Sequence, residues 1–186
     1  ATAPKSGMKN AYDNVAKSRL PVIVSGVRTP FLNSGGIYSE LYDHELAALP
    51  LRSILEKTGV AAKQVEIVTM GMVVQDVETT NVAREAMLTA GYPSTIPAYT
   101  VSMAGVSPAV GVMNVCDMIA LGRIDIAVAG GSENFSDLPI RMPRNVRKRA
   151  VRLATAKSTA EKLKILAGLR PGDLIPEPPC SEELTT

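Results

Sequence analysis

Tyr99-Thr100-Val101-Ser102-Met103-Ala104-Gly105-Val106-Ser107-Pro108-Ala109 is the stretch whose reading decides the fold. The run over 97–103 predicts a strand, and Ser107-Pro108 opens a helix predicted over 107–121, since proline suits the first helical turn. Only a few residues separate the two. A junction this tight aims unpaired N–H groups and the positive end of the helix dipole at whatever occupies the turn. A cysteine held there would have a depressed pKa and be a good nucleophile. The helix is almost wholly apolar, which predicts burial on most sides.

Working outward, the same grammar repeats. After Gly122 the run over 124–129 predicts a strand, and upstream 65–74 (VEIVTMGMVV) predicts another. Between 65–74 and the junction, 82–90 (VAREAMLTA) predicts a helix ended by Gly91-Tyr92-Pro93. Leu46, Leu49, Ile54 and Leu55 fall at helical spacing over 41–57, closed by Gly59. Pro50 lies inside that helix, where an interior proline costs about 3 kcal/mol, so a kink or a restart is expected. Residues 21–27 (PVIVSGV) predict a buried strand. Strands alternating with helices over short loops predict βαβ units and a mostly parallel sheet. The expected class is α/β, a βαβαβαβ half with an incomplete sheet.

Past Gly130-Gly131 the texture changes. Arg141, Arg144, Arg147, Lys148, Arg149 and Arg152 crowd one stretch, and 155–169 mixes lysines with Leu and Ile. This predicts a basic, amphipathic helical segment, followed by a Pro- and Glu-rich tail expected to be extended or disordered. The expected organisation is an extension over 1–20, a partial α/β domain over 21–136, a basic helical segment over 137–170 and the tail over 171–186. Neither Ser34-Gly35-Gly36 nor Gly130-Gly131 fits GxGxxG or GxxxxGK[ST], which disfavours nucleotide binding of those types. Gly130-Gly131 by itself reads as a turn after a strand.

Composition narrows the chemistry. The chain has 186 residues, 46% hydrophobic and 20% charged, with a net charge of +2. The hydrophobic fraction excludes intrinsic disorder, and no apolar run approaches the roughly 18 residues of a membrane-spanning helix. The small net charge and the 4% aromatic content, without Trp, give no support for nucleic acid. One histidine, His44, and two cysteines, Cys116 and Cys180, make neither a disulfide framework nor a marked zinc site. The start shows no signal peptide, and the lack of an initiator Met suggests a processed or trimmed N-terminus.

Five blocks in order, Gly26-Val27-Arg28-Thr29-Pro30-Phe31, Asn81-Val82-Ala83-Arg84-Glu85-Ala86, Thr100-Val101-Ser102-Met103-Ala104, Val128-Ala129-Gly130-Gly131-Ser132-Glu133 and Ser136-Asp137-Leu138-Pro139-Ile140-Arg141, carry a resemblance. The chain resembles the N-terminal part of thiolases from about Pro21 onward, nearest the mitochondrial 3-ketoacyl-CoA thiolases of fatty-acid β-oxidation. The resemblance implies an acyl-accepting cysteine after Met103-Ala104. That position is Gly105, which cannot form a thioester. Ser102 and Ser107 flank it, but a serine nucleophile needs a base and an orienting group. The family counterpart of the His44 helix is structural, so His44 is expected to pack. Cys116 is expected to be a buried small hydrophobe, and Cys180 an exposed thiol.

The resemblance also implies that two catalytic histidines and a proton-transferring cysteine belong to a second half of a thiolase, whose motifs this sequence lacks. No catalytic residue is therefore expected in this chain. The expected role is a thiolase-derived, non-catalytic structural subunit of a larger, mitochondrial assembly. The alternative is part of a 3-ketoacyl-CoA thiolase, an acyltransferase, completed by another chain or segment. A third reading is a binding module that retains acyl-CoA without chemistry. No cofactor is required. Arg141, Arg144, Arg147, Lys148 and Arg149 are the candidate contacts for coenzyme A, whose phosphates suit Arg and Lys, or for an anionic membrane surface, which a membrane-associated branch of the family suggests. An incomplete sheet predicts protein partners that cover it, in a hetero-complex or a dimer.

Overall fold

The computed structural model describes residues 12–75, 79–139 and 142–175, and the chain divides into two units between Asp137 and Leu138. In the first unit β1 (Ile67–Gly71), β2 (Ala98–Val101) and β3 (Ala127–Gly131) form one parallel sheet in the order β2-β1-β3. Val68 faces Ala98 on one side and Val128 on the other. All five residues of β1 are buried, Thr69 among them, as a central parallel strand covered on both faces requires.

Two helical layers cover the sheet. Val68 and Met70 point into a core made with Ala47, Ala48 and Leu51 of α1 (Asp43–Thr58) and with Val82, Ala83, Ala86 and Met87 of α2 (Val82–Thr89). Ile67 points the other way, toward Val115 of α3 (Ser107–Ala120) and Ile124. Gly59, at φ 68°, ends α1 in the left-handed conformation that glycine adopts without steric cost. Asn81 caps α2, its side-chain oxygen accepting from the Arg84 amide at 3.3 Å. Pro50 neither ends α1 nor restarts it, because the buried neighbours Ala47, Ala48 and Leu51 hold both turns on the core.

Two expectations are corrected. Residues 21–27 do not form a strand. They run extended, no backbone–backbone hydrogen bond among the described residues involves 21–32, and Val22, Ile23 and Val24 are 76%, 83% and 83% exposed. β1 is paired on both edges, by β2 and by β3, and 21–27 pairs with neither of those outer strands. The second correction concerns α3. Only Ser107, Gly111 and Val115 of that helix are buried, and Met113 is 62% exposed. One sheet covers one helical face, and the apolar residues of the far face stay uncovered.

The second unit contains α4 (Arg144–Thr155) and α5 (Thr159–Ala167), joined by a short loop in which Ser158 caps α5 through the Glu161 amide. Ile165 is buried there, and Arg149 donates to its carbonyl at 3.2 Å. A 3-10 turn over Pro171–Leu174 follows, with Asp173 accepting from the Arg170 amide and from Asn145. Those two hydrogen bonds, in that order, hold the Asp173 carboxyl below its usual range. The tail over 176–186, with Cys180, lies outside the described residues. No helix among the described residues is long and apolar enough to cross a membrane.

Candidate functional site at the strand-to-helix turn

The junction quoted at the outset folds as a sharp turn between β2 and α3. Met103 and Gly105 form an isolated bridge, and the Val106 amide donates to the Met103 carbonyl at 3.2 Å. Ala104 sits at φ 45°, the only non-glycine with positive φ among the described residues. A conformation of that kind costs of order 1–3 kcal/mol and persists only where the surroundings impose it. Here Ser107 imposes it. Its side chain is wholly buried, its Oγ donating to the Ala104 carbonyl at 2.6 Å and accepting from the Met103 amide at 2.7 Å. Ser107 is a brace, not a nucleophile, since both roles of its hydroxyl are taken.

The first turn of α3 rests on two strand ends. A methyl group added at Gly71 would lie 2.2 Å from the Pro108 nitrogen, and one at Gly131 would lie 2.5 Å from Pro108 Cγ. Both positions must be glycine for the helix to come this close. Gly130-Gly131 is therefore no turn: Gly131 is the last residue of β3, and neither glycine has positive φ. Just beyond, Glu133 accepts from the amides of Val73 and Val74 at 3.0 and 2.9 Å, closing the end of β1 with a carboxylate. Asn134 is buried and donates to the Leu41 carbonyl at 2.8 Å. Sequence reading missed Glu133 and Asn134, whose partners are backbone groups far along the chain and carry no side-chain signature.

Below the turn opens a cavity of about 1200 Å³. Ala104, Gly105 and Ser107 line it at the turn, Glu133 and Ser132 at the end of β3, and apolar side chains of α1 and α3 along its walls. Gly105 and Ser102 are exposed. Cys116 lines the cavity and is half-buried, so it is no closed core position; burial and, less, the neighbouring Asp117 push its thiol pKa up, away from reactivity. His44 does not line the cavity. It stacks on Tyr42, ring centroids 5.8 Å apart, and its Nδ1 is buried without a partner among the described residues. Neither the histidine nor the cysteine meets the turn as an acid–base partner. No group of three His, Cys, Asp or Glu among the described residues could hold a metal ion.

The cationic candidates lie in the other unit, on α4. Arg144, Lys148 and Arg152 recur every four residues and share one exposed face with Arg147 and with Val151, itself 66% exposed. Arg149 points elsewhere, over Gly168 and onto α5. Four exposed cations thus form a stripe, and Arg141 lies outside the described residues.

Residues 21–170 match the thiolase N-terminal domain. The chain is 44% identical over all its 186 residues to the bovine (Bos taurus) mitochondrial trifunctional enzyme subunit beta, of which it spans 38%. It is 38% identical to a probable 3-ketoacyl-CoA thiolase of Caenorhabditis elegans, again along its whole length and over 42% of that protein. With a 3-ketoacyl-CoA thiolase of Pectobacterium carotovorum it shares 36% identity over 88% of the chain and 37% of that protein.

Proposed function

Because the chain belongs to the thiolase family through its N-terminal domain, we propose that it is a non-catalytic, structural subunit of a mitochondrial assembly of the 3-ketoacyl-CoA thiolase type. One observation carries this reading. The turn that in the family presents the acyl-accepting cysteine is built here with full backbone geometry, yet its exposed position is Gly105 and the adjacent hydroxyl of Ser107 is committed to bracing. Without a side chain at 105 no thioester forms, and the covalent route is closed at this turn. The names of the bovine relative and its counterparts support the mitochondrial setting.

The test is to incubate the purified chain with acetoacetyl-CoA and free CoA, following thioester absorbance and intact mass. We expect no cleavage and no acyl adduct. An adduct mapped to residues 102–107 would sink the proposal. Gly105→Cys sharpens it: the residue at positive φ is Ala104, not 105, so the backbone accepts the change. The new thiol at the α3 N-terminus should react with iodoacetamide about tenfold or more faster than Cys116, as thiols at helix N-termini do. Turnover should stay absent, since His44, the one histidine of the sequence, does not line the cavity at the turn.

The intact turn and the cavity beneath it favour a second reading, an acyltransferase of the thiolase type completed by another chain or segment. A companion polypeptide that co-purifies and restores cleavage to the unmodified chain would establish that reading over the first. For the stripe on α4, coenzyme A is the proposed ligand, through its phosphates, and an anionic membrane surface the alternative. Titration calorimetry with millimolar CoA, beside sedimentation with vesicles containing phosphatidylserine, separates the two. Protein partners are proposed to cover the far face of α3.

A further inference from the structure

The cationic stripe of α4 ends in a hydroxyl. Thr155, the last residue of that helix, follows Arg152 by three residues, Lys148 by seven and Arg144 by eleven, so it shares their face. It is exposed, as is Val151 one turn before it. Its hydroxyl donates to the carbonyls of Val151 and Arg152, at 3.1 Å each, a local back-bond of the kind that adds little to a helix. Beyond it the chain is already extended at Ala156, with φ −66° and ψ 128°.

The sequence around this hydroxyl is singular. Of the 11 arginines in the chain, only Arg152 has a serine or threonine three places after it. Protein kinases select acceptors by charge pattern, and a cation at that distance suits an acidic surface beside the transfer site. Ser158 and Thr159, the next hydroxyls, have Thr155 and Ala156 at that place instead. Ser158 is also committed elsewhere, accepting from the Glu161 amide at 3.2 Å as the cap of α5. From Arg144 to Thr155 the helix holds no Asp or Glu, so a phosphate at 155 would be its first anion.

The charge arithmetic is large for so small a group. A phosphothreonine carries about −1.5 to −2 charges near neutral pH. At 155 it would offset roughly half of the four cations Arg144, Arg147, Lys148 and Arg152, with Arg152 one turn back and able to pair with it bidentately. It would also place negative charge at the C-terminal end of a helix, where the dipole opposes it and the last turn loosens. Both effects act against any other phosphate-bearing ligand on the stripe.

We propose that Thr155 is a phosphorylation site that switches the stripe off, its phosphate supplied by ATP through a kinase that reads Arg152. The bond from the threonine oxygen to phosphorus forms in line as the bond to ADP breaks, and the hydroxyl proton passes to the base of the kinase. This rests on the reading of the stripe as a surface for phosphate groups, whether of coenzyme A or of lipid headgroups. It adds that one hydroxyl controls that binding.

The test starts with the intact chain, Mg-ATP and a protein kinase selective for arginine three residues before its acceptor, with the product mapped by mass spectrometry. One phosphate is expected, on Thr155 and absent from Thr155→Val, and Arg152→Gln should slow its transfer about tenfold. Both forms are then sedimented with vesicles containing phosphatidylserine and titrated with coenzyme A. The unmodified chain and Thr155→Val should bind alike. Phosphorylation should weaken that binding about tenfold or more, since each cation beside an anionic surface contributes several-fold. The difference should vanish in molar salt, as a charge effect must. A loss seen with vesicles alone would assign the stripe to lipid headgroups, and one seen with coenzyme A alone to the nucleotide; either supports the switch. No transfer to Thr155, transfer to Ser158 or Thr159 instead, or a phosphorylated chain that binds like its parent would overturn the proposal and leave the stripe as a phosphate surface. A difference that persists in molar salt would do the same. An unmodified chain that binds neither probe would overturn both.

Discussion

The α2 side of the sheet and its β3 edge are built from similar residues and end in different states. Between β1 and α2, Val68, Ala83, Ala86 and Met87 have no exposed surface at all. Along β3 the side chains are half-exposed, the slot of about 1200 Å³ lies open, and the apolar run Val22-Ile23-Val24 stands in solvent. The difference lies in sequence distance. β1, α2 and β2 follow one another within 67–101, so their packing closes short loops. Val22, Ile23 and Val24, left in solvent, lie about a hundred residues upstream of β3, and loop-closure entropy rises with sequence separation. Apolar composition creates the demand for burial; chain order decides which demand is met first.

The largest expected effect probes the closed side. Met87→Ala should destabilise the chain by about 2–5 kcal/mol, since a fully buried side chain leaves a cavity among its neighbours. Ile119→Ala, on the wall of the open slot, should cost roughly 1 kcal/mol or less, because a side chain facing a void forfeits few contacts. Urea titration of both variants measures the contrast. Equal losses would mean that the slot is filled in solution.

What the sequence made legible follows the same division. The strands at 65–74 and 97–103, the helices at 82–90 and 107–121 and the stop at Gly59 were readable because each is a local pattern with local punctuation. So was the turn: Ser107-Pro108 after a β-branched run marks it, and the glycine at position 105 is plain in the sequence. Pairing was not legible. A β-branched run such as 21–27 says that it suits a strand, but not which strand it meets, and here it meets none of the three. Glu133 reaches amides 59 and 60 residues away, and Gly131 is glycine because of a proline on another element. Such residues are fixed by long-range geometry that no window of sequence contains.

Gly131 and Gly130 sharpen the comparison at the next scale down. Gly131→Ala would force its methyl to 2.5 Å from Pro108 Cγ and 3.0 Å from the Gly71 carbonyl oxygen, so α3 must lift away. The expected loss is about 1–3 kcal/mol, the usual range for overpacking. Exchange of the Met103 and Val106 amides should rise with it, because the brace moves with Ser107. Gly130→Ala meets only the Met70 side chain, its sulfur at 3.4 Å and its Cε at 3.8 Å, ordinary contacts with a flexible partner, and should stay within about 0.5 kcal/mol of the parent. A mild Gly131→Ala would show that the α3 seat is as loose as the slot beside it.

A smaller loss than that of Gly131→Ala is expected at Tyr92, which tests how tightly the closed side excludes water. Its ring is buried, its hydroxyl donates to the Leu51 carbonyl at 2.8 Å, and burial pushes its pKa from 10.0 to about 12. Tyr92→Phe should cost about 1 kcal/mol at neutral pH, the net worth of one hydrogen bond to a carbonyl that α1 already engages. The pH dependence carries a definite sign. The folded pKa lies above the unfolded one, so the contribution is complete below pH 10 and is lost as pH rises from there through about 12. Unfolding curves of the two proteins should therefore converge across that window, the other titrating groups being common to both. A gap that holds constant through it would mean that Tyr92 ionises as easily folded as unfolded, and that water reaches the α1–α2 layer as it reaches the slot.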